Sequence, residues 1–231
     1  MPIYLICGYG IPKDINTDIH YRTYLHLVFN KIYTQSANQP CTIIPSGGPT
    51  EMEPPYLETE SGVIGKYLKL MMQRLELKEQ TSGWNLLLED RSLSSLENLV
   101  FAKQLIDKNG LVGEVTIFCE QTRERRVAEM AKQLFQKDVH VEPIDFDVSK
   151  NRYLDPAVIK TKEEEALQEA LWTLEKEERL EQHHQLFERK FTFFRERAAQ
   201  GMSHVDIVEE WFRYSKEIMK ELMPEHPFFK K

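Results

Sequence analysis

The 231-residue sequence has no apolar run approaching the roughly 20 residues needed to span a bilayer. Its opening, Met1-Pro2-Ile3-Tyr4-Leu5-Ile6-Cys7, lacks the basic stretch of a secretory signal. These absences predict a cytoplasmic chain with no membrane partner. Cysteine is scarce. Cys7, Cys41 and Cys119 each sit in a strand-like apolar run, without metal-ligand spacing. An odd number of thiols and no signal fit buried, reduced cysteines, and no metal site is expected. Positive charge is in deficit, with 30 Lys and Arg against 37 Asp and Glu and a net charge of −7. That balance argues against a general nucleic-acid binder, though not against a local basic patch. No GxGxxG follows the first strand, and no lysine completes a phosphate-binding P-loop. A dinucleotide fingerprint and ATPase chemistry are therefore unsupported. Internal repeats and low-complexity tracts are also missing.

What is present is an apolar fraction of 41% and a charged fraction of 29%, enough for a packed core under a solvated surface. The first two-thirds alternates short apolar runs with helical spacing. Strands are predicted at Ile3 to Cys7, Cys41 to Ile44, Trp84 to Leu88, Val115 to Cys119 and Val139 to Phe146. Helical apolar faces fall around Tyr24 to Ile32, from Leu57 to Leu75, from Leu96 to Ile106, and from Arg125 to Phe135. The alternation predicts a Rossmann-like, doubly wound α/β domain with a mainly parallel sheet of about five strands. The run Leu86-Leu87-Leu88 reads as a strand covered on both faces. The domain is expected over residues 1–157, and a helical extension over 158–231. In the extension, Thr161 with Glu164 resembles a capping box opening one helix to Ala199. Ser203 with Asp206 opens a second, to about Leu222. This αα-hairpin carries Phe187, Phe191, Phe194 and Trp211, which either dock on the domain or form a homodimer interface.

In doubly wound sheets, ligands bind beyond the carboxyl ends of the strands. Four polar junctions fall there. Gly8-Tyr9-Gly10 follows the first strand and allows a tight turn or close approach to a ligand. Ser46-Gly47-Gly48 follows the second, where backbone N–H groups and a hydroxyl could hold an anion. The third is Glu89-Asp90-Arg91-Ser92-Leu93-Ser94-Ser95-Leu96-Glu97-Asn98. Ser94 and Glu97 have capping-box spacing, but a cap does not account for the other hydroxyls, carboxylates and asparagine. A helix start also favours anions. The fourth junction, Glu120 to Arg126, brings Arg123, Arg125 and Arg126. They suit a phosphate or carboxylate, or else pair with Glu120, Glu124 or Glu129.

This order of motifs resembles the SanA/YdcF-like family, the bacterial domain of unknown function numbered 218. Glu60-Ser61 stands where that family has Glu-Ala at a helix start. Glu89, Ser92, Glu97 and Asn98 match its Glu-x-x-Ser-x-Asn-Thr-x-Glu-Asn pattern, with Ser94 for the asparagine and Ser95 for the threonine. Arg126 matches the arginine of its next motif, while Arg123 replaces a histidine. The resemblance covers about residues 3 to 147. It implies a ligand cleft lined by Gly8, Gly10, Ser46, Gly47, Gly48, Glu60, Glu89, Ser92, Ser95, Glu97, Asn98, Arg123 and Arg126. The ligand it implies is a nucleotide or S-adenosylmethionine-like molecule. Whether any reaction follows is open, because arginine stays protonated and cannot act as a base near neutral pH. A metal-assisted phosphate-ester hydrolase using Glu60, Glu89 and Glu97, and an interaction protein using the helical tail, are the other two readings.

Overall fold

The computed structural model describes residues 1–12, 14–52, 54–135, 139–146 and 156–229. Strands β1 (Ile3–Cys7), β2 (Cys41–Ser46), β3 (Trp84–Leu86), β4 (Val115–Glu120) and β5 (Val139–Ile144) form one sheet. Their spatial order is β3-β2-β1-β4-β5, and every neighbouring pair is parallel. Parallel neighbours require crossovers. Helices α1 (Ile19–Ser36), α2 (Glu60–Met72), α3 (Ser95–Lys108) and α4 (Glu124–Phe135) lie between the strands in sequence. The chain thus has the predicted α/β, doubly wound architecture. The strand order reverses at β1, which has β2 on one side and β4 on the other.

Side-chain caps set three of the helix starts. Asp18 accepts from Tyr21 N, Thr59 from Gly62 N, and Ser94 from Glu97 N. The Thr59 cap makes α2 shorter than its apolar spacing predicts. Leu57 and Leu75, which would have extended it, are 80% and 89% exposed. Tyr24, Leu25, Val28, Phe29 and Ile32 of α1 share one core with Ile64, Leu68 and Met71 of α2 and with Tyr4, Ile6, Ile43, Trp84 and Phe118. Helix α3 touches β1 and β2, and α4 touches β4 and β5. Strand β3 departs from expectation. It has a single neighbour, ends at Leu86, and leaves Leu88 39% exposed. An edge strand here reproduces the apolar run expected of a central one.

The chain divides into two compact units, Met1–Thr50 with Glu58–Lys150, and Glu51–Leu57 with Asn151–Lys231. The division therefore falls earlier than residue 157, and one internal loop goes with the helices. Among its described residues the second unit has three α-helices rather than a hairpin, α5 (Pro156–Leu174), α6 (Glu177–Ala199) and α7 (His204–Leu222). The expected long helix breaks at Glu175-Lys176. Arg179 lies over the Trp172 ring at 3.9 Å and donates at 2.6 Å to Trp172 O, a carbonyl in the last turn of α5 that also accepts from Glu175 N at 3.4 Å. Thr161 lies inside α5 rather than at its start. The Ser203 cap is present, accepting from Asp206 N at 3.2 Å. Phe194, Trp211 and Trp172 bury one another's surroundings in this unit's own core, with Leu186, Ile207 and Ile218. Among the described residues no helix is long and apolar enough to cross a membrane.

Candidate functional site

The carboxyl ends of β1, β2 and β4 gather the polar junctions read from the sequence. Past the end of β3, Glu89 pairs as an isolated bridge with Ser46, the last residue of β2. This brings its side chain under the start of α3. The Glu89 carboxylate is 4% exposed and accepts from four donors. Oε1 receives Arg91 N at 2.8 Å and Ser92 N at 3.1 Å. Oε2 receives Ser46 Oγ at 2.6 Å and Ser92 Oγ at 2.5 Å. Such a saturated carboxylate acts as a staple between two loops and the end of β2.

Asn98 extends the network. Its carbonyl O lies 3.1 Å from Ser46 Oγ, its side-chain amide is 2.5 Å from Ser92 Oγ, and it also hydrogen-bonds Cys7. Ser92 has one hydroxyl hydrogen for two neighbours, Glu89 Oε2 and Asn98 Oδ1. Turning the Asn98 amide, so that its amino group donates to Ser92 Oγ, satisfies both. Glu97 belongs to the cap. Its N–H donates to Ser94 Oγ at 3.1 Å, while its Oε2 accepts from Leu93 N at 2.7 Å. This reciprocal pattern is close to a capping box.

The Ser46-Gly47-Gly48 junction differs from its expected role. Gly47 N donates to Glu89 O at 3.0 Å and Gly48 N to Ser92 O at 2.6 Å. Both N–H groups and the Ser46 hydroxyl are thus taken up within the protein, so they do not form an open anion cradle. The glycines are needed for a different reason. A Cβ on Gly48 would fall 2.6 Å from Ser92 O, and Gly47 has φ +149° with Glu60 against it.

Glu60 is the carboxyl that lies against the glycine turns. It opens α2, is 7% exposed, and accepts from Thr50 Oγ1 at 2.5 Å. A Cβ on Gly8 would come within 1.9 Å of Glu60 Oε2. Burial pushes the Glu60 carboxyl above the usual range, against the opposing effects of Thr50, Arg123 and the Gly10 N–H; Glu89 adds to the rise. Arg123 comes from the 3-10 turn Gln121–Arg123 after β4. Its guanidinium stacks 4.6 Å from the Tyr9 ring centroid, and Nη1 lies 3.5 Å from both Gly8 O and Ser95 Oγ. Arg126 is the third residue of α4, in its first turn, and with Arg123 its charge reaches Cys7 and Cys119. Burial nevertheless dominates at Cys7, whose thiol is pushed up to about 12.

The candidates therefore form two layers. Ser46, Gly47, Gly48, Glu89, Ser92, Glu97 and Asn98 interlock as a scaffold. Gly8, Gly10, Glu60, Ser95, Arg123 and Arg126 gather around the turn after β1. Glu120 pairs differently from the sequence reading, since its carboxylate accepts from Thr122 N at 2.6 Å and from Thr122 Oγ1. Three contributors were not among the residues expected at the site, although Tyr9 lies inside the Gly8-Tyr9-Gly10 turn. Thr50 holds Glu60, Tyr9 carries Arg123, and Tyr24 OH lies 3.0 Å from Cys7 O and 3.2 Å from Phe118 O, bridging the ends of β1 and β4. Tyr24 reads only as part of an apolar helix face. Among the described residues, no group of three His, Cys, Asp or Glu side chains is arranged to hold a metal ion. Comparisons of the chain with models of known families, with curated proteins and with solved structures give no significant match.

Proposed function

We propose that the α/β unit binds a nucleotide-like or S-adenosylmethionine-like small molecule at the carboxyl edge of its sheet, as the SanA/YdcF-like resemblance implies. The observation carrying this reading is the meeting of a buried carboxyl, Glu60, with the Arg123 guanidinium beside the Gly8-Tyr9-Gly10 turn. This meeting lies where the strand order reverses, between β1 and β4. Such switch points leave a crevice between loops that diverge from adjacent strands. Arg123 and Arg126 supply positive charge for a phosphate or carboxylate. Glu60 supplies an acceptor for a hydroxyl or amino group, and the glycine turn permits close backbone approach.

Binding is favoured over catalysis. The scaffold carboxylates Glu89 and Glu97 are already occupied by protein donors, and Arg123 cannot take a proton near neutral pH. The metal-assisted hydrolase reading gains no support from the arrangement of acidic side chains among the described residues. Thermal shift against adenine and guanine nucleotides and S-adenosylmethionine tests the proposal. A ligand at 100 times its Kd stabilises by roughly 2.7 kcal/mol. The shift is expected with at least one member and is expected to disappear in Arg123→Gln. No shift with any member overturns the reading.

A further inference from the structure

The helical unit contains a buried histidine outside the site just described. His226 follows α7 in the segment from Met223 to Phe229, and its side chain belongs to a residue only 1% exposed. Its Nδ1 accepts from Phe228 N at 3.3 Å. In the neutral ring the hydrogen therefore sits on Nε2. That Nε2 is buried and has no hydrogen-bond partner. Aromatic rings enclose the imidazole instead, with Trp172 at 4.8 Å, Phe228 at 4.5 Å and Phe229 at 6.2 Å between centroids.

The charged groups around it have other partners. Glu169 of α5 accepts from His183 Nδ1 at 2.6 Å and from Thr173 Oγ1 at 3.0 Å. Arg179 of α6 lies over Trp172 and pairs with Glu175 at 2.7 Å. On the segment itself, Glu225 is exposed. Adding a proton to Nδ1 would set a ring N–H against the Phe228 N–H, two donors face to face. It would also place a cation in an aromatic enclosure beside Arg179. Among the described residues the counter-charge acting on it is Glu169, already engaged by His183.

We propose that Met223–Phe229 is a pH-released strap, docked on Trp172 of α5 by neutral His226 and detached when His226 is protonated. Detachment breaks the Phe228 hydrogen bond and exposes Trp172 and Met223, both buried when the strap is seated. Burial disfavours the protonated ring most; Glu169 works against it, and Arg179 adds a smaller effect in the direction of burial. The sign follows directly. The docked histidine binds its proton more weakly than the free one. Docking is therefore strongest above the free histidine value of 6.5 and weakens as the pH falls below it. Between the free and docked values, the undocked population rises about tenfold per pH unit.

Amide hydrogen exchange on the full chain tests this, with His226 followed by NMR in the same samples. The reporters are the amides of Phe228 and Phe229, which donate to His226 Nδ1 and to His226 O at 2.9 Å. Protection factors, corrected for intrinsic exchange, are compared between pH 7.5 and pH 5. In the native chain they are expected to fall, in step with titration of the His226 ring. In His226→Phe, which keeps an aromatic ring but cannot titrate, the Phe229 amide is expected to keep its protection at both values. The proposal is overturned if native protection does not change, if it survives while the ring titrates, or if His226→Phe loses it as steeply. Should His226→Phe fail to seat the strap at either pH, the native comparison alone decides between these outcomes.

Discussion

Replacement of Glu89 distinguishes a scaffold carboxylate from a ligand contact, and the network allows the effect to be worked out. In Glu89→Gln, the amide oxygen can take the place of Oε1 and keep Arg91 N and Ser92 N. The amino group then faces Ser46 Oγ and Ser92 Oγ and can donate to both. Their hydroxyl hydrogens turn to Asn98 O at 3.1 Å and, with the Asn98 amide turned so that its oxygen faces Ser92, to Asn98 Oδ1 at 2.5 Å. No donor loses its partner. The variant forfeits charge assistance in four hydrogen bonds, about 1 kcal/mol each. It also avoids burying a charge, which costs several kcal/mol. The two nearly cancel, leaving a net cost of about 1 kcal/mol. In Glu89→Ala the two hydroxyls still reach Asn98, but the N–H groups of Arg91 and Ser92 lose their acceptor. At about 1–3 kcal/mol for each group, and with a void left behind, the loss is about 3–5 kcal/mol. Urea unfolding in a Trp172→Phe, Trp211→Phe background leaves Trp84 as the single indole reporter, within the α/β unit. Equal losses for the two variants, or an alanine variant within about 0.5 kcal/mol of the parent, would refute the staple argument.

Other predictions concern the upper layer and the thiols. Gly8→Ala puts a Cβ 1.9 Å from Glu60 Oε2 and is expected to cost about 1–3 kcal/mol. In a double-mutant cycle with Glu60→Ala, the two losses are expected to be less than additive by about 1 kcal/mol, and strict additivity would deny the contact. Glu60 also gives a pH signature. Its folded-state value is raised, so the folded chain holds that proton more tightly than the unfolded chain. Its contribution is full below the ordinary value of 4.5 and is lost as pH rises through the folded value. The stability of the native chain relative to Glu60→Gln is therefore expected to fall above pH 4.5, and a flat difference curve contradicts the burial argument. All three cysteines are buried, and Cys7 and Cys41 are pushed up to about 12. A thiol reagent at pH 8 is expected to label none of them until urea is added, and rapid labelling of the folded chain would count against burial.

The sheet was legible because burial leaves a periodic record. Ile3 to Cys7 is a continuous apolar run, and Val115 to Cys119 is one broken only by Thr116, because helices cover both faces of the central strands. That same record misleads at Leu86-Leu87-Leu88, since an apolar run says nothing about how many neighbours its strand has. The break between α5 and α6 was invisible for a related reason. Glu175 and Lys176 suit a helix, and what ends it is Arg179 reaching back to the Trp172 carbonyl. The side-chain helix caps depend on residues within a turn of one another, which is why the Ser94 and Ser203 starts could be read directly.

For the site, the sequence alone determined which residue types collect at the strand ends, because chain order and parallel topology bring successive βα junctions to one edge. It could not separate the interlocked scaffold from the group around the turn after β1. Glu89 and Glu60 look equivalent in one dimension, both carboxylates at a junction. Only the tertiary structure decided that four donors converge on the first, while the second lies against the Gly8 and Gly47 backbones near Arg123. The reason is physical. A carboxylate's role depends on the donors around it in space, and Ser46 is 43 residues from Glu89 along the chain.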